Sequence, residues 1–109
     1  MKREIITLCG STRFREQFRE IERMLTLNGK IVLPPAIFGK TEGIEHSKET
    51  EEMLFDLQID KIRMSDSIFV IDAGGYIGDS TKKEIEFALK NKKEVRYYSK
   101  ETERKDEHK

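Results

Sequence analysis

The run DSIFVID, residues 66–72, places four apolar residues in succession, Ile68 to Ile71. A strand with one face in water alternates apolar and polar side chains, so an unbroken apolar centre predicts burial on both faces. Such a strand belongs inside a parallel sheet with helices packed above and below it. The remainder of the chain must therefore supply helices on both sides.

It does so in alternation. EIITLC, residues 4–9, favours a strand and ends at Gly10. Phe14, Phe18, Ile21 and Leu25 then step by four, three and four, the period of a helix whose outer face holds Arg and Glu. Ser11 or Thr12 is its expected cap and Gly29 its close. KIVLPP, residues 30–35, reads as a second strand, ended because proline has no amide hydrogen for a ladder. A loop over 36–46 leads to SKETEEMLFDLQIDKIRM, residues 47–64. That segment predicts a helix capped by Ser47, with Met53, Leu54, Leu57 and Ile62 toward the core.

After the 66–72 strand and a glycine turn, STKKEIEFALKNK (80–92) predicts a helix with Ile85, Ala88 and Leu89 inward. EVRYY (94–98) predicts a last strand, and the polar SKETERKDEHK (99–109) is expected to fray or to extend as a surface helix. The fold expected is α/β: a single-domain open parallel sheet of four to five strands with helices on both faces, flavodoxin/Rossmann-like. It spans 1–99, with 100–109 as a polar C-terminal tail.

Charge excludes some partners. Lys plus Arg and Asp plus Glu each number 21, so the net charge is zero and no global field holds a polyanion. Neither a nucleic-acid polymer nor an anionic membrane is an expected partner. With no apolar run long enough for a membrane span or a signal peptide, a cytoplasmic location is expected. The single cysteine, Cys9, has no partner for a disulfide and reads as a small buried hydrophobe. His46 and His108 are isolated, so neither a metal nor a cofactor is expected.

Open parallel sheets bind ligands outside the carboxyl ends of their strands, beside helix N-termini that favour anionic groups. Two segments qualify, CGSTR (9–13) and DAGGYIGDST (72–81). Gly10 permits close backbone approach, while Ser11, Thr12 and Arg13 supply donors; the same residues also suit an ordinary strand-to-helix turn. Neither a Walker loop nor a G-x-G-x-x-G spacing is present. On the second segment Gly75, Tyr76, Ser80 and Thr81 are candidate binding residues. Tyr76 can stack on a planar ring or cover its own loop, and Phe38 carries the same two readings.

Three carboxylates surround this opening. Thr81-Lys82-Lys83-Glu84 fits a capping box, giving Glu84 a structural use beside any chemical one. Asp72 and Asp79 permit acid/base chemistry and are equally at home in turns. Asp66 is expected at the opposite end of the sheet, outside the site.

ITLCGSTRF (6–14) and DKIRMSDSIFVIDAGGYIGDSTKKEIEFALKNKKEVRYY (60–98), in this order of elements, resemble the nucleoside 2-deoxyribosyltransferase family. Related N-glycoside hydrolases of deoxynucleoside monophosphates look similar. In that family the carboxylate of a G-T-x-x-E type segment attacks the anomeric carbon of the sugar, and STKKE carries this role onto Glu84. The resemblance implies a small nucleoside or nucleotide as partner, a homodimer or higher homo-oligomer, and Asp79 or Asp72 as the group that positions the sugar or protonates the base. Leu8 stands near a family tyrosine, and Gln58 near a family carboxylate, which makes Gln58 a candidate substrate contact. Alternatives are a nucleotide N-glycoside hydrolase and a non-catalytic nucleotide-binding module on the same fold. A phosphoribohydrolase of the cytokinin-activating type is also similar, but its P-G-G lead is missing.

Overall fold

The computed structural model describes residues 2–36 and 45–102, so Phe38, His108 and most of the polar tail lie outside the described residues. Its elements run β1 (Ile5–Gly10), α1 (Arg15–Leu27), β2 (Ile31–Leu33), α2 (Lys48–Met64), β3 (Ser67–Ile71), α3 (Asp79–Lys90), β4 (Glu94–Tyr97) and α4 (Tyr98–Glu101). A 3-10 turn at Ala73–Gly75 separates β3 from α3.

The sheet has four strands in the order β2-β1-β3-β4, and every neighbouring pair is parallel. From β1 the chain moves to one neighbour through α1, then crosses back through α2 to the other side. Right-handed crossovers in opposite directions place α1 on one face and α2 with α3 on the other. The expected α/β architecture is the observed one.

Each face has its own core. Ile6, Leu8, Phe69 and Ile71 pack against Phe18, Ile21 and Leu25 of α1. Cys9, Ile68 and Val70 pack against Ile62 of α2 and Ala88 of α3. All five residues of β3 are buried, as its apolar run requires. The polar Thr7 is accommodated because its hydroxyl bonds the Ser65 hydroxyl and donates to the Lys61 carbonyl. At the far end of the sheet Asp66 accepts from the Ile5 amide at 2.8 Å, outside the site as expected.

Several local expectations are corrected. α1 starts after a turn closed by the Phe14 amide and the Ser11 carbonyl, and its cap residue is Phe14, not Ser11 or Thr12. Phe14 packs against the core from there, which moves the helix start past the hydroxyls. Gly29, at φ +80°, does close α1. Ser47 caps α2 by accepting from the Thr50 amide at 3.1 Å. Beyond residue 99 the chain runs on in the short helix α4, one of the two expected outcomes, and Arg96 makes two bonds to its Glu101, at 2.8 and 2.7 Å.

Gly10 proves to be needed by the sheet. Its φ is +149°, and a Cβ there would lie 2.9 Å from the Ile71 carbonyl oxygen. The close approach seen is to β3. Gly10→Ala is expected to cost about 2–4 kcal/mol, through strain and overpacking together, read as a lowered urea midpoint with an unchanged slope.

Candidate active site

Two helices depart from their apolar pattern at the same place. In α2 the inward residues include Gln58 and Ile62, while the expected core residues Met53 and Leu57 face solvent. In α3 the inward residues are Thr81, Glu84 and Ala88, and the expected Leu89 is exposed. Each helix is rotated so that a polar side chain enters the interior. Both polar groups converge on the carboxyl end of β1.

There the Gln58 amide donates to the Leu8 carbonyl at 3.0 Å and lies 3.6 Å from the Cys9 Sγ. Glu84 is 6% exposed, and its buried Oε1 has no hydrogen-bond partner. α3 begins at Asp79 behind Gly78, so Thr81 is already the third helical residue and the expected capping box does not form. Glu84 lies a turn too deep to serve the helix end.

Burial sets the electrostatics. Desolvation pushes the Glu84 carboxyl up to about 7, against the Cys9 thiol and Gln58 amide, which both favour the charged form. The Cys9 thiol is raised well above its ordinary value, first by burial and then by the adjacent Glu84 charge. A thiol so held is not a thiolate at neutral pH, which removes Cys9 as a nucleophile. A carboxyl near neutrality can act as a nucleophile when ionised or as an acid when protonated.

The crevice at the carboxyl edge lies where the chain leaves β1 and β3 in opposite directions. Tyr76 joins the two loops there: the Arg13 guanidinium sits 4.1 Å from its ring centroid, and Phe14 meets it edge-on at 6.1 Å. Gly74 and Gly75, at φ +65° and +84°, form the turn that presents it. Ser11 and Thr12 are half-buried in the facing loop, where the Ser11 hydroxyl accepts from the Arg13 amide at 3.3 Å.

The other candidate carboxylates are placed differently. Asp72 is buried, and its two oxygens accept from the Ser99 amide at 2.8 Å and the Ser99 hydroxyl at 2.7 Å. It ties the end of β3 to α4. Asp79 is exposed in the first turn of α3 and points away from the direction of Glu84, five residues on. Ser80 lines an open groove of about 480 Å³ with Lys83 and residues of α2.

Two participants were hidden in the sequence. Ser99 sits in a polar tail with no motif, and Cys9 looks like any small core residue. Gln58 had a readable signal, since Leu54, Gln58 and Ile62 are spaced by four on one helix face. Among the described residues, no cluster of three or more His, Cys, Asp or Glu could hold a metal ion, and no helix is long and apolar enough to cross a membrane. The sequence matches no established family profile and no curated protein.

Proposed function

We propose that the protein cleaves the N-glycosidic bond of a (deoxy)nucleoside or its 5'-monophosphate, with Glu84 as nucleophile. The observation that carries this reading is a buried carboxyl group whose Oε1 has no hydrogen-bond partner and which is not used to cap its helix. An unsatisfied buried polar atom costs about 1–3 kcal/mol, and such conflicts between pattern and packing concentrate at functional sites. The resemblance in STKKE assigns the same residue on separate grounds.

The chemistry follows from charge. As the bond to the base lengthens, positive charge grows on the sugar, and the ionised carboxylate stabilises it before bonding to the anomeric carbon. The electron pair of the broken bond leaves with the base, which takes up a proton. That proton comes from solvent, because Asp72 is held by Ser99 and Asp79 is exposed and turned away from Glu84. Water or a second base then attacks the anomeric carbon and returns the Glu84 carboxylate. Arg13 and Tyr76 border the crevice where phosphate and base would lie. A cytoplasmic location and a homo-oligomer belong to the same reading.

Incubation with a panel of deoxynucleosides and their monophosphates, with and without an acceptor base, should release free base detectable by chromatography. Exchange of bases without net release would identify a transferase. Binding without base release would overturn the enzymatic reading and leave a nucleotide-binding module.

A further inference from the structure

Gln58 stands where α2 should be apolar. It is 8% exposed, while Ile62, one turn further on the same face, belongs to the core. An apolar side chain at this position would spare the fold a buried amide. The amide is set by the sheet: its nitrogen donates to the Leu8 carbonyl at 3.0 Å, where an amide oxygen would only meet another acceptor. The same nitrogen lies 3.6 Å from the Cys9 Sγ, and the Glu84 carboxyl adjoins both side chains. One amide hydrogen serves Leu8, so the other is left for the sulfur and the carboxyl.

Cys9 completes the arrangement. A thiol whose sulfur accepts from an amide keeps its own hydrogen to give, and fully buried Cys9 offers it to Glu84. The surroundings supply no cation. From β1 the carboxyl is faced by Cys9 and from α2 by Gln58, while Val70 of β3 and Ala88 of α3 in the same layer are apolar. Tyr97 of β4 also packs in that layer, its ring covered by Lys100 at 4.7 Å. Asp72 is tied to Ser99, and Asp79 and Lys83 are exposed. Besides burial, Cys9 and Gln58 are the groups among the described residues that move the Glu84 carboxyl. A lysine or arginine in place of Gln58 would lock the carboxylate in an ion pair, and an apolar residue would keep it protonated at neutral pH.

We propose that Gln58 and Cys9 are positioning residues and not substrate contacts: as two neutral donors they hold the Glu84 carboxylate in its reactive form and leave Oε1 unpaired to bond the sugar carbon. The proposal rests on Glu84 being the nucleophile. It gives Gln58 a different role from the one its place in the sequence suggested, and it gives the buried thiol a use that does not require a thiolate.

The test reads the ionisation of Glu84 twice, once without substrate. Removing a donor to a charged group moves its midpoint by about one pH unit. Thermal stability of the wild type should stop falling near pH 7, where the folded Glu84 ionises. In Gln58→Met, which keeps the length of the side chain without a donor, the fall should continue to about pH 8. Placed on Glu84→Gln, the same substitution should add no such pH dependence. Base release by Gln58→Met should drop about tenfold near pH 6 and recover by about pH 9, with KM unchanged. Cys9→Ala should act in the same direction, and Cys9→Ser, which keeps a donor, should bring the midpoint back. A midpoint unmoved in Gln58→Met would overturn the proposal even if Glu84→Gln abolishes base release, which leaves the glycosidase reading standing. A raised KM at every pH would make Gln58 a substrate contact, and an equal loss of stability at every pH would make it mere packing; either overturns it. Shifted stability midpoints in a protein that releases no base would uphold the two donors and sink the glycosidase reading alone.

Discussion

Glu84→Gln is expected to lower base release by about 10⁴-fold or more, because the amide keeps the shape of the carboxylate but cannot trap the sugar carbon. Substrate affinity should change far less, since the contacts assigned to Arg13, Ser11 and Tyr76 lie in the loops. A binding measurement on the variant, by fluorescence or calorimetry, separates lost chemistry from lost binding. Wild-type kcat/KM should rise with pH through a midpoint near 7, where the Glu84 carboxyl ionises. Turnover of the variant near the wild-type rate would remove Glu84 from the reaction. A rate that instead falls as pH rises through 7 would make Glu84 the acid and not the nucleophile.

The architecture was legible because β3 is apolar at consecutive positions and because Gly10 and Pro34 end strands and Gly29 ends a helix where the period changes. The angular setting of the helices was not. Apolar periodicity aims a helix by its most hydrophobic arc, which in α2 and α3 pointed to Met53, Leu57 and Leu89. Both helices are turned away from that arc to bring Gln58 and Glu84 against β1. A rule that assumes buried means apolar fails where a polar group is kept inside. The same rotation leaves Met53 and Leu57 on the surface, so the buried site and these exposed apolar residues have one structural cause.

The caps failed for a related reason. Ser11, Thr12 and Thr81 have the right chemistry to cap, but the helix starts are set by Phe14 packing into the core and by Gly78 ending the turn around Tyr76. The role of Asp72 depended on Ser99, 27 residues away in sequence, and no local pattern could pair them. Glu84 was legible only as a choice between helix cap and site, and the frame of α3 removes the cap.

Stability should move opposite to activity. Below about pH 4.5 Glu84 is protonated whether the chain is folded or not, and its burial carries no ionic penalty. As pH rises through the interval from 4.5 to about 7, the unfolded chain releases this proton while the folded protein retains it. Folding therefore becomes less favourable with rising pH, by about 3 kcal/mol once both states are ionised. Glu84→Gln has no proton to release there. The variant should match the wild type near pH 4.5 and exceed it by about 3 kcal/mol at pH 8, a gap of 10 °C or more in Tm for a domain of about this size. Thermal unfolding of both proteins across this range isolates the group, because every other titrating residue is common to the two curves. Parallel curves would mean that Glu84 ionises at an ordinary carboxylate pH and is not held in a desolvated site. A residue placed to hold α3 together would destabilise the fold when replaced. A gain in stability joined to a loss of turnover is what a carboxylate kept inside the protein for reaction must produce.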